Sequence, residues 1–154
     1  MSNIDENKGG NNTRSESGTK PFILIADTAP HIVNHLAGIF ELANFEVMIA
    51  TSAQECIDVF MGIKDKVDII LMNGSIAGDE GIHVIISVRR EKPNQRILVV
   101  VEEENARSKA MEVGADVVLL KPITAETILL KVNDMLLETE SFLERKRAKF
   151  QRRM

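Results

Sequence analysis

The sequence contains no tryptophan, no tyrosine and only one cysteine, Cys56. A single cysteine excludes an internal disulfide, so a noncovalent and mostly aliphatic core must hold the fold together. Long apolar runs are also missing, and none approaches the roughly 18 residues that a membrane-spanning helix needs. Because the N-terminus also lacks a signal-peptide pattern, we expect a soluble cytoplasmic protein with no transmembrane segment.

Charge is unevenly spread along the chain, whose net charge is −4. Residues 145–154 contain six basic side chains and no acidic one, whereas residues 21–144 contain 20 acidic and 10 basic side chains. An acidic body disfavours nucleic-acid binding by the domain itself. The basic tail, in contrast, suits an acidic protein surface or anionic lipid.

Composition divides the 154 residues into three parts. Residues 1–20 are rich in Gly, Asn, Ser and charge, and they hold too little apolar surface to offset the entropy of ordering, which predicts a disordered tail. Residues 21–138 alternate short apolar runs with amphipathic segments and suffice for one domain with one core. Residues 139–154 predict a helical, basic C-terminal extension.

Five apolar runs predict strands, and segments with helical periodicity separate them. The run FILIA at 22–26 is typical of a strand buried on both faces. Ser52 and Glu55 predict a capping box for the second helix, and Gly114 predicts the stop of the fourth. Five such units predict an α/β fold, a doubly wound parallel sheet between two helical layers. The other strands are predicted at 46–50, 67–72, 96–101 and 117–120, and the helices begin near residues 30, 53, 80, 102 and 125.

The carboxyl ends of the predicted strands are the place to look for a site. In a doubly wound sheet, ligands and reactive groups gather beyond these ends. The residues that follow the first, third, fourth and fifth strands are Asp27-Thr28, Asn73, Val101-Glu102 and Lys121-Pro122.

Three segments at these strand ends resemble the receiver domains of two-component response regulators. ILIADTAP at 23–30 is similar to the receiver opening, and DIILMNGSIAGDEG at 68–81 is similar to the third strand and its loop. GADVVLLKP at 114–122 is close to the last strand, with its lysine–proline pair. The resemblance covers about residues 21–138 and implies a flavodoxin-like, five-stranded sheet in the order 2-1-3-4-5.

The resemblance also implies a chemistry. In receivers, an aspartate after the third strand accepts a phosphoryl group while Mg²⁺, held by carboxylates, neutralises the developing charge. A lysine after the fifth strand and a hydroxyl after the fourth bind the phosphoryl oxygens. Carried over position by position, Asp27 and Lys121 are retained, whereas Thr28 stands at the second acid and Asn73 at the acceptor. The hydroxyl position falls within Val99 to Val101, with Val101 as the best match, and the aromatic switch position is Val118.

These departures predict a pseudo-receiver that is not phosphorylated. The amide of Asn73 is a poor nucleophile, and a valine at position 101 offers no hydrogen bond to a phosphoryl oxygen. With one carboxylate instead of three, Mg²⁺ binding is expected to be weak or absent. We therefore expect no enzyme activity, catalytic residue or cofactor. We expect instead a hydrogen-bonded cluster of Asp27, Asn73 and Lys121 that fixes one conformation.

Two single-site alternatives accompany this interpretation. Asn73 precedes Gly74, a pair that is prone to deamidation, and slow conversion to aspartate would restore an acceptor. His31 and His35 have the i, i+4 spacing that can bind a metal. No third ligand lies near them in the sequence, so an exposed polar helix face is the better interpretation and no metal is expected.

The last helix carries a heptad pattern that continues past its expected end at residue 138 toward Phe150. A continuous helix would carry Phe142, Leu143 and Phe150 away from the domain along a partly apolar stripe. The sequence leaves two interpretations open: a helix that dimerises or docks on a partner, and a solvated helix that frays.

Together these features predict an atypical receiver that acts in intracellular signal transduction through phosphorylation-independent protein–protein interaction. Its partners would be signalling proteins, such as a histidine kinase or a scaffold, or a second copy in a homodimer. The expected surface comprises the fourth helix, the fifth strand and the last helix, with Val118, Leu143 and Phe150. The alternative is a phosphoacceptor of a two-component phosphorelay that uses a non-standard acceptor such as Asp27. A flavodoxin-type small-molecule binder is disfavoured, because DTAPH at 27–31 lacks a phosphate-binding loop.

Overall fold

The computed structural model describes residues 20–73, 76, 79–138, 142, 144–145 and 147–148, so nearly all of the predicted N-terminal tail lies outside it. Strands and helices alternate along the described chain, as predicted. The strands are β1 (Phe22–Ala26), β2 (Glu46–Ala50), β3 (Ile69–Met72), β4 (Arg96–Val101) and β5 (Val117–Leu120). The helices are α1 (Pro30–Leu42), α2 (Ala53–Ile63), α3 (Asp79–Glu91), α4 (Glu104–Glu112) and α5 (Ala125–Leu137). None of the described helices is long and apolar enough to cross a membrane.

All strand pairs in the sheet are parallel, and the strand order is β2-β1-β3-β4-β5. This order confirms the one implied by the resemblance. It places β1 and β3 side by side in the middle of the sheet, with Ala26 opposite Met72 at their carboxyl ends. The residues that follow these two strands are therefore neighbours.

Two apolar clusters cover the two faces of the sheet, because successive strand residues point to opposite sides. On one face, Val33, Phe40 and Val132 from α1 and α5 pack on alternate strand residues. On the other face, Phe60 of α2, Val84 of α3 and Ala110 of α4 pack on the remaining strand residues. The predicted three-layer sandwich is confirmed, with two helices on one side and three on the other.

The predicted helix caps form with one difference. The Ser52 hydroxyl accepts a hydrogen bond from the Glu55 amide at 3.0 Å, and Gly114 has the left-handed φ of 119° just after α4. Glu55 reaches one residue further back than a capping box requires, because its carboxylate accepts from the Thr51 amide at 2.7 Å. These hydrogen bonds lower the pKa of Glu55 below its usual value.

The prediction of one continuous helix toward Phe150 is wrong. Helix α5 ends at Leu137, and Glu138 has an extended backbone with ψ of 144°. The Arg96 guanidinium donates to the carbonyl oxygens of Met135 at 3.0 Å and Glu138 at 2.6 Å, so it occupies acceptors at the end of the helix. A long-range side chain thus ends the helix where the heptad pattern predicted that it would continue.

Beyond this break, Arg147 of the extension contacts the domain. Arg147 Nε donates to Asp116 Oδ1 at 2.6 Å, and the side chains of Arg147 and Asp116 are 11% and 1% exposed. Asp116 Oδ2 accepts from Arg89 at 2.9 Å and from the Ile97 amide at 2.8 Å. Leu143 and Phe150 lie outside the described residues, and Phe142 is 40% exposed. The buried carboxylate of Asp116 therefore anchors the extension through Arg147.

We predict that Arg147→Ala lowers the free energy of unfolding by about 1–2 kcal/mol, because it removes one of two guanidinium partners from a buried carboxylate. Arg145→Ala is the matched control, since Arg145 is exposed in the same segment, and its effect should stay within about 0.5 kcal/mol. Urea denaturation at pH 7 measures both. Equal effects of the two variants would contradict the anchor.

Cys56 lies in α2 and is completely buried in the cluster that α2, α3 and α4 form with the sheet. Burial, with a smaller contribution from the charge of Glu55, raises the pKa of the Cys56 thiol to about 12. The thiol is therefore protonated at neutral pH, and Cys56 packs as a small hydrophobic residue.

We predict that Cys56 in the folded protein reacts with a thiol reagent at pH 8 at least about 100-fold more slowly than in urea. The buried thiol is protonated, and the reagent cannot reach it. The rate in the folded state should follow transient opening of the core. A labelling time course followed by mass spectrometry measures it. Comparable rates with and without urea would show that the thiol is accessible.

Candidate functional site

The sheet hydrogen bonds bring Asp27 and Asn73 together at the carboxyl ends of β1 and β3. The Asp27 amide donates to the Ala50 carbonyl of β2 at 3.1 Å, and the Asn73 amide donates to the Ala26 carbonyl at 2.9 Å. Both residues thus continue the strand pairing by one step beyond the regular strands. Both are almost fully buried, with exposures of 1% and 4%.

The two side chains are joined by a hydrogen bond in which Asn73 Nδ2 donates to Asp27 Oδ2 at 2.7 Å. Asp27 Oδ1 accepts from the Ala29 amide at 3.0 Å, just before α1 begins at Pro30. The amide orientation follows from this contact, because the reverse orientation would place the Asn73 oxygen against the carboxylate. Asn73 Oδ1 is buried and has no hydrogen-bond partner among the described residues.

Lys121 lies at the same edge of the sheet but pairs with a different acid. Its Nζ lies 3.6 Å from Glu102 Oε2, and its side chain is 30% exposed. Within the described part of the chain, the predicted three-residue cluster is therefore reduced to Asp27 and Asn73. The ion pair joins the two strand ends that flank this side of the site, β4 and β5.

The remaining predicted positions are divided between core and surface. Thr28 is exposed beside Asp27, and Val101 is 2% exposed at the end of β4. Val118, predicted on a partner surface, is only 6% exposed and packs in the core, so that prediction is wrong. The reason is strand alternation, because β5 turns Val118 toward the α3 and α4 side of the sheet.

A cavity of about 350 Å³ opens between α1, α5 and the loop that joins β5 to α5. Asn73 and Lys121 line it together with Val100 of the sheet. The cavity was not predicted, because it requires α1 and the start of α5 to lie apart, which no local pattern encodes. Its other lining residues are Ile32, His35, Leu36, Pro122, Ile123, Ala125 and Ile128.

His31 and His35 are exposed on α1, as the helix-face interpretation predicted. In the described ranges, no group of three or more His, Cys, Asp or Glu side chains is placed to hold a metal ion. Asp27 is the only acid among the described residues that directly follow β1 and β3, and it already accepts hydrogen bonds on both oxygens.

The charged network at the opposite end of the sheet was also missed. Asp116 precedes β5, so its carboxylate lies at the amino ends of the strands with Arg89 and Arg147. The available signal was a buried-strand pattern, GADVVLL, that contains one acid without a functional role in the resemblance. Buried carboxylates require partners, and the partners come from distant segments.

Comparison with known families agrees with this geometry. Residues 23–133 match the response regulator receiver domain family. The chain belongs to this family. Receiver domains are signalling modules of two-component systems, and they interact with partners such as kinases.

A curated relative is similar to the chain over most of its length. The transcriptional regulatory protein SrrA of Staphylococcus aureus (strain NCTC 8325 / PS 47) is 29% identical over 120 residues, which cover 77% of this receiver and 49% of that protein. This receiver thus spans about half the length of the curated relatives that it matches.

Two solved structures illustrate the fold. The CheX–CheY–BeF3–Mg²⁺ complex from Borrelia burgdorferi gives a TM-score of 0.72 at 19% identity, over 80% of this receiver and 94% of that chain. Vibrio cholerae CheY4 gives 0.67 at 24% identity, over 77% of this receiver and all of that chain, 100%. At these identities the similarity shows the receiver fold alone.

We predict that Asn73→Asp lowers the free energy of unfolding by about 2–3 kcal/mol at pH 7 without Mg²⁺, because a hydrogen bond is replaced by two adjacent carboxyl groups. Added Mg²⁺ should recover part of the loss in the variant and have little effect on the wild type. Asn133→Asp is the control, since Asn133 is exposed on α5. Thermal and urea unfolding are measured with and without added Mg²⁺. A neutral effect of Asn73→Asp on stability would contradict the hydrogen bond.

Proposed function

We propose that this receiver is a pseudo-receiver, which signals by protein–protein interaction without being phosphorylated. The observation that carries the proposal is the hydrogen bond from Asn73 Nδ2 to Asp27 Oδ2, 2.7 Å long, at the place of the acceptor. A carboxylate at this position attacks phosphorus with an unshared electron pair of an anionic oxygen. The Asn73 amide is neutral, and its nitrogen is occupied as a hydrogen-bond donor.

The site also offers few ligands for the Mg²⁺ ion that phosphoryl transfer requires. Mg²⁺ needs anionic oxygens in near-octahedral geometry and dehydrates reluctantly. Asp27 is the only carboxylate among the described residues that directly follow β1 and β3, and its Oδ2 accepts from Asn73 while its Oδ1 accepts from Ala29. Binding Mg²⁺ there would break at least one of these bonds and would leave the ion with a single protein charge. We expect such binding to be weak or absent.

The groups that would transmit a phosphoryl signal are replaced as well. Val101 and Val118 occupy the hydroxyl and aromatic switch positions that the receiver resemblance implies, and both are packed in the core. Lys121 forms an ion pair with Glu102, so its charge is matched without a phosphoryl group. The region around β4 and β5 therefore keeps one arrangement, and the partner surface next to it is constant.

Exposed apolar side chains support a partner surface on β5 and α5. Leu120 is 37%, Leu130 65% and Leu137 72% exposed, and the last two are seven residues apart on one face of α5. Such side chains suit a protein partner, which we take to be a kinase, a scaffold or a second copy of the receiver. Val118 is removed from the predicted surface, and these three leucines replace it.

The proposal is tested by incubating the full chain with acetyl phosphate and Mg²⁺ and measuring its intact mass. We predict that the wild type forms no phosphorylated species, which would be about 80 Da heavier, because an acyl phosphate needs a carboxylate acceptor. Asn73→Asp is the positive control, because it restores a carboxylate at the end of β3, and it should gain the adduct. Peptide mapping of an aged sample identifies any aspartate that deamidation forms at position 73.

A phosphorylated wild type whose peptide map shows intact Asn73 would overturn the proposal and support a non-standard acceptor such as Asp27. An adduct confined to deamidated peptides would show that Asn73 is a precursor of the acceptor and would also overturn it. In a parallel capture experiment, Leu130→Glu should lose partners that Asn133→Asp retains, since only the first interrupts the apolar face of α5.

A further inference from the structure

The cavity between α1 and α5 has an apolar inner end and a mouth that is open to solvent. Leu36, Val100 and Ile128 line the cavity and are buried, so they form its inner end. Ile32 also lines it but is 36% exposed, which places Ile32 at the mouth. The volume of about 350 Å³ lies at the lower end of the range of small-molecule sites, roughly 300–1,000 Å³. The cavity therefore suits a small ligand with an apolar body.

The ionisable side chains that line the cavity are both basic. They are His35 of α1, which is exposed, and Lys121, whose side chain is 30% exposed, so both belong to the mouth. Among the described residues, no acidic side chain lines the cavity. Ala125, the first residue of α5, is a further lining residue, and the positive end of the helix dipole lies there. The charge at the mouth therefore favours an anionic group over a cationic one.

The contact of Lys121 with Glu102 leaves its ammonium able to bind a second carboxylate. Glu102 is 72% exposed, and the distance of 3.6 Å from Lys121 Nζ to Glu102 Oε2 is too long for a good hydrogen bond. Water and salt screen an ion pair in such a position, so it contributes little. The Lys121 amide donates to the Val101 carbonyl at 2.8 Å, so the backbone stays in place while the flexible side chain moves.

The separation of apolar and basic residues sets the orientation of a ligand. A carboxylate at the inner end would lose its hydration without a cationic partner, which is very unfavourable. The same group at the mouth keeps part of its water and meets basic side chains. The remaining polar lining residue, Asn73, is uncharged, and its side-chain nitrogen already donates to Asp27.

We propose that this cavity binds a small monocarboxylate with an apolar body, such as an aromatic acid. The apolar body packs between Ile32, Leu36 and Ile128, and the carboxylate lies at the mouth, where it pairs with the Lys121 ammonium on the side opposite His35. The proposal rests on the cavity and on the charge at its mouth. It goes beyond the proposed function, because it holds whether or not the receiver is phosphorylated.

Three probes with one aromatic ring test the charge preference: benzoate, its neutral isostere benzamide, and the cation benzylamine. Each is titrated into the isotope-labelled full chain while backbone amide resonances are followed by NMR. Benzoate should give saturable shifts at Leu36, Ile123 and Ile128. Benzamide should bind at least roughly threefold more weakly, because it has no charge to pair with Lys121, and benzylamine should bind more weakly still.

The role of Lys121 is tested by combining variants with these probes. Lys121→Gln should lower benzoate affinity to that of benzamide and leave benzamide affinity unchanged, because only the ion pair is removed. Lys131→Gln is the matched control, since Lys131 lies on α5 and does not line the cavity. Glu102→Gln should strengthen benzoate binding roughly twofold, because it removes the competing carboxylate.

Two alanine substitutions locate the site. Ala125 lines the cavity, and Ala125→Met fills it; Ala53→Met is the matched control, since both alanines are the first residue of a helix after a hydroxyl cap. Benzoate affinity should fall at least roughly tenfold in Ala125→Met and stay unchanged in Ala53→Met. Ala125→Val replaces the methionine variant if the latter does not fold.

Absence of saturable shifts with benzoate would overturn the proposal. Benzamide binding as tightly as benzoate, or a Lys121→Gln variant with undiminished benzoate affinity, would overturn the preference for a carboxylate. Undiminished benzoate binding by a folded Ala125 variant would place the ligand outside the cavity and would also overturn the proposal.

Discussion

Parallel pairing of β1 with β3 is the constraint on which the rest of the structure depends. It forces two chain segments 46 residues apart, Asp27 and Asn73, to end side by side in a buried place. A buried carboxylate needs donors, and here one comes from the Asn73 amide and one from the Ala29 backbone just before α1. The same pairing sets which residues of each strand face α1 and α5 and which face the other three helices.

The neutral side chain of Asn73 changes the charge balance beside Asp27. An acid at position 73 would add a second negative charge, which a metal ion would have to balance. The amide removes that second charge and supplies a donor to Asp27. Its own oxygen is buried and has no hydrogen-bond partner among the described residues.

Local patterns were sufficient for the strands and for a sheet between two helical layers, because continuous apolar runs can only be buried between two layers. The strand order that brings Asp27 beside Asn73 came from the receiver resemblance. Local patterns failed at features that depend on side chains distant in the sequence. The end of α5 depends on Arg96, and the partner of Lys121 depends on the position of Glu102 in the β4–α4 loop. Strand alternation alone predicts that Val118 points into the core. The receiver resemblance, which places a switch residue at this position, led instead to a predicted surface position.

Asp116 also bears on what counts as the domain. A boundary drawn after Leu137, where the last regular helix ends, would separate the carboxylate from Arg147, one of its two guanidinium partners. The family match ends even earlier, at residue 133. A fusion joined directly after α5 would therefore remove Arg147 and leave the buried carboxylate of Asp116 with Arg89 as its guanidinium partner.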